Sequence, residues 1–439
     1  MNRRRLFAFA LLPLLTVPAF AAPGLSAPER TMSAHVDAGQ ERAIALLQKL
    51  VEQNSGTMNF AGVEAVAKIM RPEFEALGFK VEWKPTPKAN RAGHLIATHA
   101  GKPGGKRLLL IGHLDTVFEP DSPFTGFVRN GDIATGPGVA DDKGGVVVML
   151  AALQAMHAAG TLADANIEVV LTGDEEDAGS PMQISRADLV AAGKRADVAL
   201  DFEGLSQDGD RDMGSIARRS SNSWKLTTSG RSGHSSLIFA DDLGDGAVFE
   251  LARIIAAFRS ELPEPNLTFN VGLLGGGQSA ELDADNVRIA ATGKGNIIPA
   301  TAVAIGDFRT LSQEQTDRVK AKMQDIVSRH LPHTGAEIIF DEAYPPVAPT
   351  AGNRALLAAL NEINRDLGLA EMAELDPLQR GAGDIGFVAE DVDSLIGLGV
   401  AGSGSHAPGE TADLASLPRQ AKRAAILMSR LARQASSKP

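Results

Sequence analysis

The strongest constraint on this 439-residue chain is an alternation of short apolar runs with helical patterns. Residues 81–83, 94–98 and 107–111 read as strands, 142–159 as a helix, and 167–171 and 198–202 as strands again. Such alternation predicts an α/β domain with an open, largely parallel sheet and helices on both faces. In that architecture ligands bind in the crevice beyond the carboxyl ends of the strands. Polar residues that directly follow strands are therefore the ones to examine.

Near Arg218 the texture changes. Strands at 223–228, 267–274, 302–309 and 336–340 enclose helices at 245–259 and 312–330, with an extra hairpin arm at 287–292. Without that arm the order is β-α-β-β-α-β, the split pattern of a ferredoxin-like sandwich. We expect catalytic-domain parts at 22–217 and 344–439, with an inserted ferredoxin-like α+β dimerisation or lid domain at 218–343 between them. The second part carries helices at 354–367 and 385–390, a strand at 394–398 and a closing helix from about 417 to 433. At the other end, helical spacing is evident at 40–51 and 62–77, whereas 22–37, rich in Ala, Pro and Ser, reads as a loose lead-in.

Residues 1–21 have the pattern of a secretory signal: Arg3, Arg4 and Arg5, an apolar stretch at 6–17, then Ala19-Phe20-Ala21 before a cut. We expect export to a periplasm or beyond, cleavage after Ala21 and a mature protein with no membrane association, since the apolar stretch is shorter than the roughly 20 residues a span requires. A net charge of −11 argues against nucleic-acid binding, which needs a basic face. With no cysteine in the chain, any metal must be held by imidazole and carboxylate, a set that suits zinc, with cobalt or manganese as substitutes.

Four predicted strands run into chemistry-bearing segments: Gly112-His113-Leu114-Asp115, Thr172-Gly173-Asp174-Glu175-Glu176-Asp177, Asp201-Phe202-Glu203-Gly204, and Gly402-Ser403-Gly404-Ser405-His406. A fifth, Gly136-Pro137-Gly138-Val139-Ala140-Asp141-Asp142, precedes a helix, where Asp141 or Asp142 serves equally as an N-cap. In an extended segment His113 and Asp115 point the same way, so the carboxylate can fix the imidazole tautomer and leave the other nitrogen for metal. Adjacent carboxylates at Glu175 and Glu176 point apart on a tight turn. One can bind metal while the other works as a general base, or both can decorate a solvated acidic turn.

Taken together, the segments GHLDTV, GPGVADDKGG, TGDEED, LDFEG and GSHAPGE resemble, in order and spacing, the glutamate carboxypeptidase and aminoacylase-type family of two-zinc metallopeptidases, with the bacterial folate-cleaving glutamate carboxypeptidases most similar. The resemblance implies two zinc ions per subunit bridged by Asp141, with His113 and Glu203 at one and Glu176 and His406 at the other. Asp201, two residues before Glu203, is the alternative ligand. Glu175 would be the base and Asp115 would orient His113. The resemblance also implies a cis peptide after Asp141.

In Gly230-Arg231-Ser232-Gly233-His234, the resemblance implies that His234 reaches a partner subunit's active site in a homodimer and stabilises an oxyanion. Asn296 and Arg309 would bind the substrate, a small peptide or N-acyl amino acid, at its carbonyl and carboxylate, and Gly383 would form part of the substrate floor. The chain departs from the folate-cleaving pattern at residues 380–384, where Arg-Gly-Ala-Gly-Asp replaces a longer Gly-rich run, and in a longer stretch at 275–295. The expected activity is hydrolysis of an amide next to a free-carboxylate amino acid; dipeptidase or N-acyl-amino-acid deacylase activity is the alternative. A catalytically silent metal- or peptide-binding relative is the reading of a different class.

Overall fold

The computed structural model describes residues 24–341 and 344–438. The expected signal segment at 1–21 lies outside them. Among the described residues, no helix is long and apolar enough to cross a membrane.

The central sheet has six strands, in spatial order Lys80–Lys84, His94–His99, Asn166–Thr172, Arg107–His113, Val198–Asp201 and Ser394–Leu395. The last three pairings are parallel and the first two antiparallel, so an antiparallel edge is joined to the parallel sheet foreseen. Alternation along Arg107–His113 explains how helices cover both faces. Leu108 and Leu110 join the core built with helices Ala27–Glu52, Lys143–Ala158 and Ser416–Ala432. Leu109 and Ile111 face the opposite core, formed with helix Ala187–Arg195 and the short turn Asp384–Val388.

The structure departs from three expectations. The lead-in at 22–37 is largely the start of helix Ala27–Glu52. Its Ser26 backbone N–H donates to Glu29 over 2.7 Å, Met32 and Val36 are buried, and Glu29 pairs with Arg430 of the closing helix at 2.8 Å. The strand expected at 394–398 stops at Leu395, because Gly397 turns the chain in the left-handed region at φ 80°. The helix expected at 385–390 is instead the 3-10 turn Asp384–Val388.

The smaller inserted domain is an antiparallel sheet ordered Thr268–Gly277, Thr301–Arg309, Asn222–Gly230, Thr334–Phe340. Helices Ala247–Glu261 and Gln313–Ser328 pack their apolar stripes against it around Trp224, Phe258 and Phe308. The extra arm is a hairpin of Ser279–Leu282 with Ile289–Thr292.

A further small sheet positions the site. Val128–Asn130 pairs with Ile133–Thr135, which pairs with Thr411–Asp413, which pairs with Ala401–Ser403. This fastens the hairpin that carries His406 to the strand leading into the Gly136–Asp141 loop, across some 270 residues of sequence.

Candidate metal centre

His113 ends its strand at the carboxyl edge of the sheet and is fully buried. Its Nδ1 lies 3.1 Å from the Asp115 carbonyl and 3.4 Å from the Asp115 carboxylate, which turns Nε2 toward Asp141 Oδ1 at 3.1 Å. Asp141 Oδ2 lies 3.3 Å from Nε2 of His406, and Glu176 Oε2 is 3.0 Å from the same nitrogen. Asp141 thus faces one imidazole with each oxygen. The peptide between Asp141 and Asp142 is cis, and Asp142 turns inward, fully buried. Among the described residues, His113, Asp141 and Glu176 form one group whose ligand atoms all lie within 4.8 Å of one another.

Asp115 does more than hold His113. Its carboxylate accepts from the backbone N–H groups of Glu175 and Glu176, each at 3.1 Å, and from Thr57 Oγ1 at 2.7 Å. The acidic turn is therefore a fixed element. Behind it, buried Arg186 donates to Asp174 at 2.6 Å, to Asp384 at 2.7 Å and to the Tyr344 hydroxyl at 2.9 Å. The Tyr344 hydroxyl in turn donates to the Glu175 carbonyl at 2.6 Å. Glu410 holds the Asp141 loop in the same manner, accepting from the N–H groups of Gly138, Ala140 and Asp141 at 2.8–3.0 Å.

Glu203 lines the same cavity but is drawn to Arg218, its Oε1 2.5 Å from Nη1, and does not join the group of three. Asp201 lies behind it, 3.5 Å from the same guanidinium. Arg309 lines the cavity beside Glu175 and Tyr344. Gly383 backs the Glu203–Arg218 pair so closely that a Cβ would come within 2.4 Å of both side chains. His234 and Asn296 share a corner of the inserted domain, where Ser235 N–H donates to the Asn296 carbonyl, and neither lines this cavity. Sequence reasoning assigned no role to Thr57, Arg186, Arg218, Tyr344, Arg380 or Glu410. Of these, Glu410 carried a signal as the last residue of the His406 motif, and Arg380 as the first residue of the departure at 380–384.

The electrostatics fit divalent cations. Burial, then the charge of Glu203, raises the Glu175 carboxyl well above its ordinary pKa; burial also raises Glu176, and burial with Glu203 lifts Asp201 to about 7. His406 is held up at about 10 by its bonds to Asp141 and Glu176. For His113, burial opposes the charge, but the bonds to Asp115 and Asp141 outweigh it and raise it. Protons on two imidazoles thus balance part of a buried surplus of carboxylates, at the nitrogens and oxygens that ligate metal. The donors are imidazole and carboxylate only, as zinc accepts.

An open α/β sheet carrying such a cluster at its carboxyl edge, with a ferredoxin-like insertion beside it, defines a metal-dependent hydrolase. The chain belongs to the peptidase family M20/M25/M40, whose profile matches residues 109–430. It is 28% identical to carboxypeptidase G2 of Pseudomonas sp. (strain RS-16) over 401 residues, covering 89% of each chain. With succinyl-diaminopimelate desuccinylase of Acidiphilium cryptum (strain JF-5) it shares 28% identity over 310 residues, 69% of this chain and 76% of the relative. Its fold resembles a tripeptidase of Staphylococcus aureus with a TM-score of 0.68 at 20% identity, over 90% of this chain and 99% of that one. As a member of the family, the protein hydrolyses peptide or amide bonds of small substrates.

Proposed function

We propose that the protein is an exported, dimeric two-zinc exopeptidase that cleaves the amide next to an amino acid with a free carboxylate, as glutamate carboxypeptidases do. The observation that carries this reading is Asp141, with one oxygen on His113 and the other on His406, and Glu175 held on a fixed turn beside them. Asp141 would bridge the two ions, His113 and Glu203 completing one site and Glu176 and His406 the other. Glu203 is favoured over Asp201 because Glu203 lines the cavity, while Asp201 is fully buried behind it. Two zinc ions would supply Lewis acidity toward the scissile carbonyl and toward water.

Glu175 takes a proton from the attacking water and passes it to the leaving amine nitrogen, so the amide C–N bond breaks as the new C–O bond forms. The elevated affinity of this carboxyl for protons suits a group that must accept one and release it. Arg309 grips the carboxylate of the departing amino acid through its guanidinium fork. His234 acts from a partner subunit: Ser236 N–H donates to its Nδ1, 3.2 Å away, which leaves the proton on Nε2 for donation to an oxyanion, with Asn296 beside it. Gly383 keeps the Glu203 side of the floor thin. A signal segment cut after Ala21 and a soluble periplasmic product complete the proposal.

Deacylation of N-acyl amino acids is the second reading, favoured by the departure at 380–384 and by the desuccinylases among the relatives. Hydrolysis of N-acyl-glutamates, other N-acyl amino acids and dipeptides at defined zinc separates the two. Glu175→Gln should retain both metals and lose about 10²–10⁴ in kcat; near wild-type turnover would remove Glu175 from the role of base. A strictly monomeric protein with full activity would exclude His234 acting in trans.

A further inference from the structure

A second cavity of about 390 Å³ adjoins the one beside the cluster, of about 380 Å³. They share a wall made of Asp141, Glu203, Arg218, Gly381 and Ser405. Arg309 stands in the cavity beside the cluster and Arg380 in the adjoining one, so an arginine lies on each side of that wall.

Arg380 is a cation whose needs are only partly met. Its Nη1 donates to the Gly204 carbonyl at 2.7 Å and to Ser206 Oγ at 2.8 Å, both neutral acceptors. Its Nε is buried and, among the described residues, has no hydrogen-bond partner. The nearest carboxylate is Glu203, with Oε2 3.8 Å from Nη2, and Glu203 is already engaged by Arg218 at 2.5 Å. Two guanidiniums thus compete for one carboxylate, and Arg218 has Asp201 at 3.5 Å as well. A buried cation in this position is relieved by an incoming anion. Gln379, Gln207 and Ser206 supply further polar groups around the same space.

We infer that Arg380 recognises an anionic group on the acyl half of the substrate, so that the preferred amide carries a carboxylate on each side of the scissile bond, one at Arg309 and one at Arg380. This rests on the exopeptidase reading above and specifies its substrate as an N-acyl amino acid whose acyl group is a dicarboxylic half-amide or ends in an acidic side chain. Arg380 is a specificity residue; it takes no part in moving protons at the reacting atoms.

The test uses the zinc-loaded full-length protein and two compounds on the best leaving amino acid: an N-glutaryl amide and its neutral glutaramoyl counterpart, which differ only in a terminal carboxylate or carboxamide. The wild type should prefer the glutaryl compound on the order of tenfold to a hundredfold in kcat/KM, expressed mainly in KM, as a charge-assisted hydrogen bond implies. Arg380→Gln should bring the preference to within about twofold of unity, with Arg380→Lys between. Calorimetric titration with glutarate and glutaramate should show the same loss of discrimination in binding and serves if turnover of the variant is too low to measure.

Cleavage of both compounds by the wild type without preference would overturn this inference alone. So would a preference that survives in a folded Arg380→Gln variant. If no member of the panel is cleaved at any zinc level, the exopeptidase reading falls and takes this one with it.

Discussion

Arg186 is the best place to test how the acidic turn is held. It is fully buried and donates five hydrogen bonds: to Asp384 Oδ1, Asp174 Oδ1, the Asp174 carbonyl, Ser185 Oγ and the Tyr344 hydroxyl. Its guanidinium also lies 5.4 Å from the Phe387 ring centre and 5.7 Å from that of Tyr344. Arg186→Met keeps the apolar stem and strands two carboxylates. Removing one partner of a buried ion pair costs about 3–5 kcal/mol. Thr172 at 2.5 Å from Asp384, and Gly179 N–H at 2.8 Å from Asp174, soften the loss but carry no charge.

A ceiling follows from protonation. A stranded aspartate can take up a proton at pH 7 for about 4 kcal/mol, so the penalty cannot grow far beyond that for each group. For a catalytic domain of this size, we expect the thermal midpoint of Arg186→Met to fall by roughly 6–15 °C in a calorimetric scan at pH 7. The deficit should shrink toward pH 5, where Asp384, whose pKa burial already raises, gains its proton readily. Adding Asp174→Asn and Asp384→Asn should recover about half of it. A midpoint within 2 °C of wild type, or a deficit that ignores both pH and the added substitutions, would refute the ion-pair argument.

Zinc binding should release protons, because His113 and His406 hold theirs above the ordinary histidine range; calorimetry in buffers of different ionisation enthalpy should give a positive release at pH 7, and a chelator should abolish hydrolysis reversibly. Glu29 has its pKa lowered to about 2: burial raises it, but the bonds from Arg430 and the Ser26 N–H outweigh that. Its contribution is therefore fully present above about pH 4.5 and fades as pH falls toward 2. With a partly exposed partner we expect about 1–2 kcal/mol, so Glu29→Gln should lose wild-type stability at pH 6 and converge with it near pH 2.5 in matched thermal scans. Gly383→Ala should push Glu203 and Arg218 apart and lower kcat/KM by at least tenfold at saturating zinc; unchanged kinetics would show that the floor yields.

The sheet, its two covering layers and the sandwich were legible because they rest on periodicity, which survives in any single sequence. Composition misled at the start of helix Ala27–Glu52: Ala, Pro and Ser suggested a linker, while Met32, Val36, Ile44 and Leu47 already carried helical spacing. Helix Ala187–Arg195 went unassigned, and with it Arg186 at its N-cap. His113, Asp141, Glu175, Glu176, Glu203 and His406 were readable since each sits in a polar motif after a strand or before a helix. Arg186, Arg218 and Arg380 lie in no such motif. Their importance comes from which carboxylates the fold brings against them, and the pairings of Arg186 with Asp384 and of Arg380 with Glu203, across more than 150 residues, leave no local trace.

Asp115 also couples the ends of two strands. One carboxylate anchors the imidazole of His113 and, through two backbone amides, both Glu175 and Glu176. A thermal displacement of that anchor moves His113 on one strand and Glu175 and Glu176 after another in the same direction. Errors in position are thereby correlated. The distances between these groups vary less than the groups themselves, so the site can ride on a breathing sheet and keep its internal geometry. Asp115→Asn would keep the shape and lose part of this tether, while Asp115→Ala would let the two strand ends wander independently.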